Sequence, residues 1–155
     1  MTVTIITYES RHAGRFRDLN LAWLEKFFRV EEKDRQLLEQ SEQSIIAPGG
    51  KIFLAAADDE VIGCFALIRI DEGIYELGKM AVDPLYQGRR IGQELLRYAI
   101  EYAKEQQWKK IVLYSHTKLE NALHIYRKFG FREVALEKDL PYERSDIKMV
   151  LTLME

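Results

Sequence analysis

Ile74-Tyr75-Glu76-Leu77-Gly78-Lys79-Met80-Ala81-Val82 runs through Asp83-Pro84-Leu85 into Tyr86-Gln87-Gly88-Arg89-Arg90-Ile91-Gly92. The first nine residues alternate and are mostly apolar, which suits a strand. Beyond Asp83-Pro84 the period changes. Leu95, Leu96, Ala99, Tyr102 and Ala103 mark one face of a helix opening near Ile91 and closing near Gln107. Ile111 to Ser115 reads as the next strand. A strand–helix–strand passage from Val82 through Ile111 needs a right-handed crossover, so these two strands are expected to be parallel.

Upstream, Ile52 to Ala57 and Val61 to Ile70 are apolar runs separated by Asp58-Asp59 and closed by Asp71-Glu72-Gly73, both turn compositions. With Ile74 to Val82 they predict an antiparallel three-stranded meander. Val3 to Tyr8 predicts an opening strand. Phe16, Leu19, Leu21, Trp23, Leu24, Phe27 and Phe28 recur at roughly helical spacing, and Glu31 to Gln43 predicts a second helix stopped at Pro48-Gly49-Gly50. Downstream, Leu119, Ala122, Ile125, Tyr126 and Phe129 form another helical stripe, which Gly130 is placed to end. Two last strands are expected near Phe131 to Leu136 and Ile147 to Leu153. The expected fold class is α+β: a mixed, mostly antiparallel central sheet flanked by helices. No repeat or linker divides the chain, so residues 1–155 read as one domain.

Hydrophobic residues make up 47% and charged residues 31% of the sequence, the balance of a soluble globular chain. Its apolar runs are far shorter than the ~20 residues that span a bilayer, and the N-terminus has no basic segment leading into an apolar one; a cytoplasmic protein without membrane contact is expected. The 23 basic residues nearly cancel the 25 acidic ones, so charge alone gives no reason to expect nucleic-acid binding. The single cysteine, Cys64, lies in an apolar run and reads as a small hydrophobe. His12, His116 and His124 show no metal-ligand spacing and read as solvated or locally bonded; no metal is expected.

The loop Gln87 to Gly92 sits between a strand and a helix. A helix start offers unsatisfied N–H groups and partial positive charge, and glycines let the backbone approach an anion. Pyrophosphate fits such a concavity, with Arg89 and Arg90 adding charge-assisted contacts. A solvated basic turn fits the same string equally well. The P-loop and the three-glycine dinucleotide fingerprint are both excluded, because their required residues are missing.

Met80-Ala81-Val82 ending a strand, Gln87 through Gly92 opening a helix, and Asn121…Tyr126…Gly130-Phe131 downstream together resemble the GNAT acyltransferases. The resemblance covers most of the chain and is most specific from Glu76 to Phe131. It implies the GNAT fold and an acetyl-CoA co-substrate. Met80, Ala81 and Val82 would pair with the pantetheine arm. Gln87, Gly88, Arg89, Arg90, Ile91, Gly92 and Gln93 would hold the diphosphate, and Asn121 and Tyr126 would contact the arm. One position departs from the acyl-CoA loop pattern Q/R-x-x-G-x-G/A: Arg90 stands where its first glycine does. A side chain disfavours positive φ, so the loop is expected to hold ordinary helical or bridge geometry there.

Amine acylation needs a neutral nucleophile, support for the carbonyl oxygen as it gains charge, and a proton for the departing thiolate. By resemblance, Glu76 is the candidate base, the N–H near Met80 the oxyanion donor, and Tyr126 the acid. Glu76 also reads as an outward strand carboxylate paired with Lys79 or solvent, Tyr126 as a core aromatic, and Asn121 as a helix cap. Trp23, Phe27 and Phe28 read as core residues, some of which can line the acceptor pocket. Tyr142-Glu143-Arg144 reads as a solvated hairpin loop in preference to a further rim of that pocket. The expected function is acetyl transfer from acetyl-CoA to a primary amine by direct attack in a ternary complex, in a possible homodimer. Two alternatives fit the same residues: a non-catalytic acyl-CoA sensor or interaction module, and an acyltransferase using another acyl-CoA.

Overall fold

The computed structural model describes residues 2–154. Among these described residues seven strands form one sheet: β1 (Thr4–Thr7), β2 (Lys51–Ala57), β3 (Glu60–Asp71), β4 (Ile74–Val82), β5 (Lys110–Ser115), β6 (Arg132–Val134) and β7 (Ile147–Thr152), in the order β1-β2-β3-β4-β5-β7-β6. Only the β4–β5 pair is parallel, and helix α3 (Ile91–Glu105) joins those two strands. The other helices are α1 (Ala13–Phe27), α2 (Glu32–Glu39) and α4 (Glu120–Lys128). The expected meander and mixed α+β sheet are present.

Strand alternation divides the core between the two faces of the sheet. Phe53, Phe65 and Leu67 pack with Leu95, Leu96 and Ala99 of α3 and with Leu123 of α4. Their sequence neighbours Leu54, Cys64 and Ala66 point the other way, into a second cluster with Phe16 and Leu24 of α1 and Leu38 of α2. Each fully buried Leu or Phe contributes roughly 1.5–3 kcal/mol relative to exposure, so both layers are strongly anchored.

Two differences from the sequence expectations have local causes. The second helix does not run to Gln43: α2 ends at Glu39, and a short π-helical turn, Glu42–Ile46, follows. The chain then turns through Gly49 (φ 111°), and at Gly50 a side chain would meet the Ile45 and Leu67 carbonyl oxygens at 2.5 and 2.7 Å. Strand β6 is also shorter than expected, covering Arg132–Val134. Residues between β6 and β7 leave the sheet, and part of that stretch is buried against α2.

Candidate active site

The β4–β5 ladder pairs Ile74–Glu76 with Lys110–Val112 and then stops, although β4 continues to Val82 and β5 to Ser115. A second irregularity lies on the opposite edge of β4. Cys64 pairs with Ala81 and Ala66 with Gly78, so three steps on β4 face two on β3. The extra residue is a bulge, and Lys79 within it has φ 52°. Bulges bend a strand and increase its twist. The two parallel strands therefore separate beyond Glu76, and two cavities open into the gap.

The first cavity, about 260 Å³, is lined by Trp23, Phe28, Glu76, Tyr114, His116 and Tyr142, among others. The second, about 410 Å³, lies toward the start of α3 and is lined by Met80, Ala81, Val82, Gln87, Gly88, Arg90, Ile91, Gly92, Gln93, Asn121 and Tyr126, among others. Trp23, Met80, Ala122 and Tyr126 border both, so the cavities meet at the bulged end of β4. Of the residues expected at the coenzyme, Arg89 alone is not part of this lining; its guanidinium lies 5.5 Å from the Tyr86 ring centroid.

The loop corrects one expectation. Arg90 is left-handed, with φ 60° and ψ 22°, not helical or bridge-like. Its backbone adopts the geometry open to glycine, at a side-chain cost of roughly 1–2 kcal/mol. Gly88 has φ 83°, and a Cβ built on Gly88 or Gly92 meets nothing within 4 Å. The first turn of the fifteen-residue helix α3 thus borders an open concavity, the arrangement that suits an anion. Asn121 is in the first turn of α4 behind Leu119 at its cap, so it is not the capping residue. Tyr126 borders both cavities, and burial raises its hydroxyl pKa, which keeps the phenol protonated at neutral pH.

At the other end of the gap the expectations for Glu76 and for residues 142–144 need correction. Glu76 is 4% exposed, neither outward nor solvated. Burial raises its pKa, opposed by Lys33 and Lys79 and by the Tyr142 hydroxyl, which donates to Glu76 Oε2 at 3.3 Å. Lys79 pairs with Asp34 Oδ1. Burial lowers the Lys79 pKa, and the Asp34 carboxylate works against that shift. Arg144 clamps Asp34 with two contacts, Nη1 to Oδ2 at 2.7 Å and Nη2 to Oδ1 at 2.9 Å, while Nη1 also donates to Glu31 Oε2 at 3.0 Å. The Glu143 N–H donates to Glu31 Oε1 at 2.8 Å. Residues 142–144 are therefore no solvated hairpin: ion pairs to the start of α2 hold this segment, and Tyr142 is buried. Burial alone would raise the Asp34 carboxyl pKa, but the Arg144 hydrogen bonds and the Lys79 charge hold it at about 2.

Tyr142 and Arg144 line the first cavity, as the alternative reading of that segment as a pocket rim has it; Asp34, Glu31, Asn20 and His116 do not stand out from the sequence as parts of a site. A signal existed for Asp34, which precedes Leu37 and Leu38 by one helical turn and so shares their inward face. Of the first-helix aromatics, Trp23 and Phe28 line the cavities, while Phe27 borders a smaller hollow of about 80 Å³. His12 is buried and its Nδ1 accepts from the Glu9 N–H; His116 Nδ1 accepts from the Lys118 N–H; His124 is exposed. Asn20 donates to Phe16 O and Cys64 Sγ, and burial pushes the Cys64 thiol up to about 12. Among the described residues, no cluster of three His, Cys, Asp or Glu side chains could hold a metal ion, and no helix is long and apolar enough to cross a membrane.

An α+β domain whose sheet splits into two joined compartments, one beside a helix start and one beside a buried carboxylate, has the form of a two-substrate cleft. The model of the acetyltransferase (GNAT) family matches residues 17–131, and the chain belongs to that family. It is 39% identical over 66 residues to the N-alpha-acetyltransferase RimI of Mycobacterium tuberculosis, covering 41% of this chain and 39% of that protein. The match thus spans about two fifths of that relative's length. An acetyltransferase of the GNAT family from Staphylococcus aureus Mu50 superposes with a TM-score of 0.86 at 27% identity, over 98% of this chain and 99% of that one. A GNAT family acetyltransferase from Elizabethkingia anophelis, solved with acetyl-CoA bound, shares the fold with a TM-score of 0.74 at 24% identity, over 97% of this chain and 98% of that one.

Proposed function

We propose that this chain transfers an acetyl group from acetyl-CoA to a primary amine by direct attack within a ternary complex. The observation that carries the reading is the meeting of the two cavities at Met80 and Tyr126, where β4 has left β5. The larger cavity would hold the coenzyme, with its diphosphate at the N–H groups from Gly88 to Gly92 and the pantetheine arm along Met80, Ala81 and Val82 as an added strand. Gln87, Gln93 and Asn121 border that path. The acetyl group would then lie where the compartments join, within reach of an amine in the smaller one.

Each chemical need has a group at that place. A lysine-like amine with pKa near ~10.4 costs about 4.6 kcal/mol to hold neutral at pH 7, so a proton acceptor is required. Glu76 lines the amine compartment, and its raised pKa makes it a better proton acceptor than an exposed carboxylate. It takes the ammonium proton, directly or through water. The neutral nitrogen attacks the thioester carbonyl, the Met80 N–H supports the oxyanion, and collapse breaks the C–S bond. Tyr126 donates its proton, or a hydrogen bond, to the leaving sulfur. The nitrogen loses its second proton to solvent. Cys64 is a poor covalent carrier because its thiol is buried and resists ionisation.

Incubation with acetyl-CoA and a panel of amines, scored by free thiol, tests this reading. Amine-dependent thiol release with intersecting double-reciprocal lines is expected. Coenzyme binding without amine-dependent release would replace it with the sensor alternative. Parallel lines with an isolable acetyl-enzyme would overturn direct transfer.

A further inference from the structure

Glu76 has a hydroxyl partner on one side and room left by a glycine on another, and neither was visible in the sequence. On one side is the Tyr142 hydroxyl, at 3.3 Å from Oε2. On the other is Gly78, two residues along the same strand face, where a Cβ would approach Glu76 Oε2 to 3.2 Å. The absence of a side chain at position 78 leaves room for the carboxylate. Tyr142 comes from the irregular stretch between β6 and β7, whose ends are tied to β5 and its following turn through Glu137 and Asp146. Beside Tyr142 itself, the next pair of residues ties the stretch to α2. The Glu143 N–H and the Arg144 guanidinium are taken up by Glu31 and Asp34 at the start of α2, and Arg144 also lies 4.5 Å from the Tyr142 ring centroid. Arg144 is thus a strut from α2 to the phenol that touches Glu76.

We propose that Tyr142 is a positioning residue for Glu76, seated by the Arg144–Asp34–Glu31 ion cluster, and that it keeps one carboxylate oxygen fixed while the carboxylate faces the amine compartment. The proposal rests on the reading of Glu76 as proton acceptor. The charged and titratable groups around Glu76 are Lys33 of α2, Lys79 of β4, Tyr114 of β5, and Tyr142 and Arg144 of the inter-strand segment. Lys79 and Arg144 are already engaged by Asp34, so the neutral phenol is the group that makes a directed bond to the carboxylate. A hydroxyl donating to a carboxylate favours the charged form. Its removal moves the ionisation of Glu76 to higher pH.

Protein labelled with ¹³C at glutamate side-chain carboxyls reports that ionisation without any substrate. In Tyr142→Phe the Glu76 titration is expected to move upward relative to the parent, with acetyl-CoA affinity by calorimetry unchanged. Gly78→Ala, which displaces the same carboxylate without touching Tyr142, is expected to lower kcat about 10-fold while leaving the KM for acetyl-CoA within twofold. Arg144→Lys is expected to retain more of the parent titration than Arg144→Ala. An unmoved Glu76 titration in Tyr142→Phe overturns the positioning role, whatever the enzyme's activity. A Glu76→Gln variant with undiminished turnover instead overturns Glu76 as proton acceptor, and the positioning role falls with it.

Discussion

The loop at residues 87–92 and the ion cluster around Asp34 stand at opposite ends of one cleft and use different parts of the chain. The loop works through main-chain geometry: a glycine and an arginine at positive φ, side chains largely exposed, and a helix start behind them. The cluster works through side chains. Asp34 is fully buried and receives Lys79 from β4 and Arg144 from the segment before β7, which are far apart in sequence. A backbone site is tolerant of side-chain identity wherever the dihedral angles survive. A buried ionic site is intolerant, because each charge taken out of water depends on its partners.

The steepest test of that contrast is Asp34→Ala. Removing the shared carboxylate leaves Lys79 buried without its acidic partner and Arg144 with Glu31 alone, and a loss of about 3–5 kcal/mol is expected in urea unfolding. A loss below 1 kcal/mol would mean that the cluster is not an anchor. The same group sets an acid window. Its carboxyl lies at about 2 when folded, against ~3.9 in a free chain. A depressed carboxylate pKa stabilises the fold above the unfolded value. That contribution, about 2.6 kcal/mol, is complete well above pH 4 and disappears as pH falls through 2, so the gap between parent and variant should narrow by about that much over this range.

Next in size is Tyr126→Phe, placed where the compartments meet. Turnover is expected to fall roughly 100-fold, with acetyl-CoA affinity by calorimetry nearly unchanged. The opposite pattern would assign this residue to binding. At the loop, Gly92→Asp should weaken CoA binding about 10-fold, whereas Gly92→Ala should leave it unchanged, because a Cβ there meets nothing. Equal losses in both would show that the site depends on space and not on charge. The smallest effect is expected for Arg90→Gly. Relief of the left-handed side chain should raise stability by under about 1 kcal/mol, and CoA affinity should stay within threefold if the backbone does most of the holding.

The same contrast separates what could be read in the sequence from what could not. The strand, loop and helix from Ile74 to Glu105 were legible because each is written in local periodicity and turn chemistry. The positive φ of Arg90 was not, since the side-chain penalty is small enough for the surrounding chain to impose it. Glu76, Met80 and Tyr126 were found through a resemblance, and the structure brings them to the walls of adjoining cavities. Tyr142 and Arg144 read as a solvated loop because polar residues between two strands usually are. Their burial depends on Glu31 and Asp34, more than one hundred residues earlier, and no local pattern encodes such a pairing.

Trp23, Met80, Ala122 and Tyr126 belong to both compartments, and this common wall has a thermodynamic consequence. Any rearrangement of these side chains by a guest on one side alters the surface offered to a guest on the other. The factor by which the first changes the affinity of the second must equal the factor in the reverse direction. If two guests bind as proposed, cooperativity between them would act through these four side chains, the wall that both compartments share.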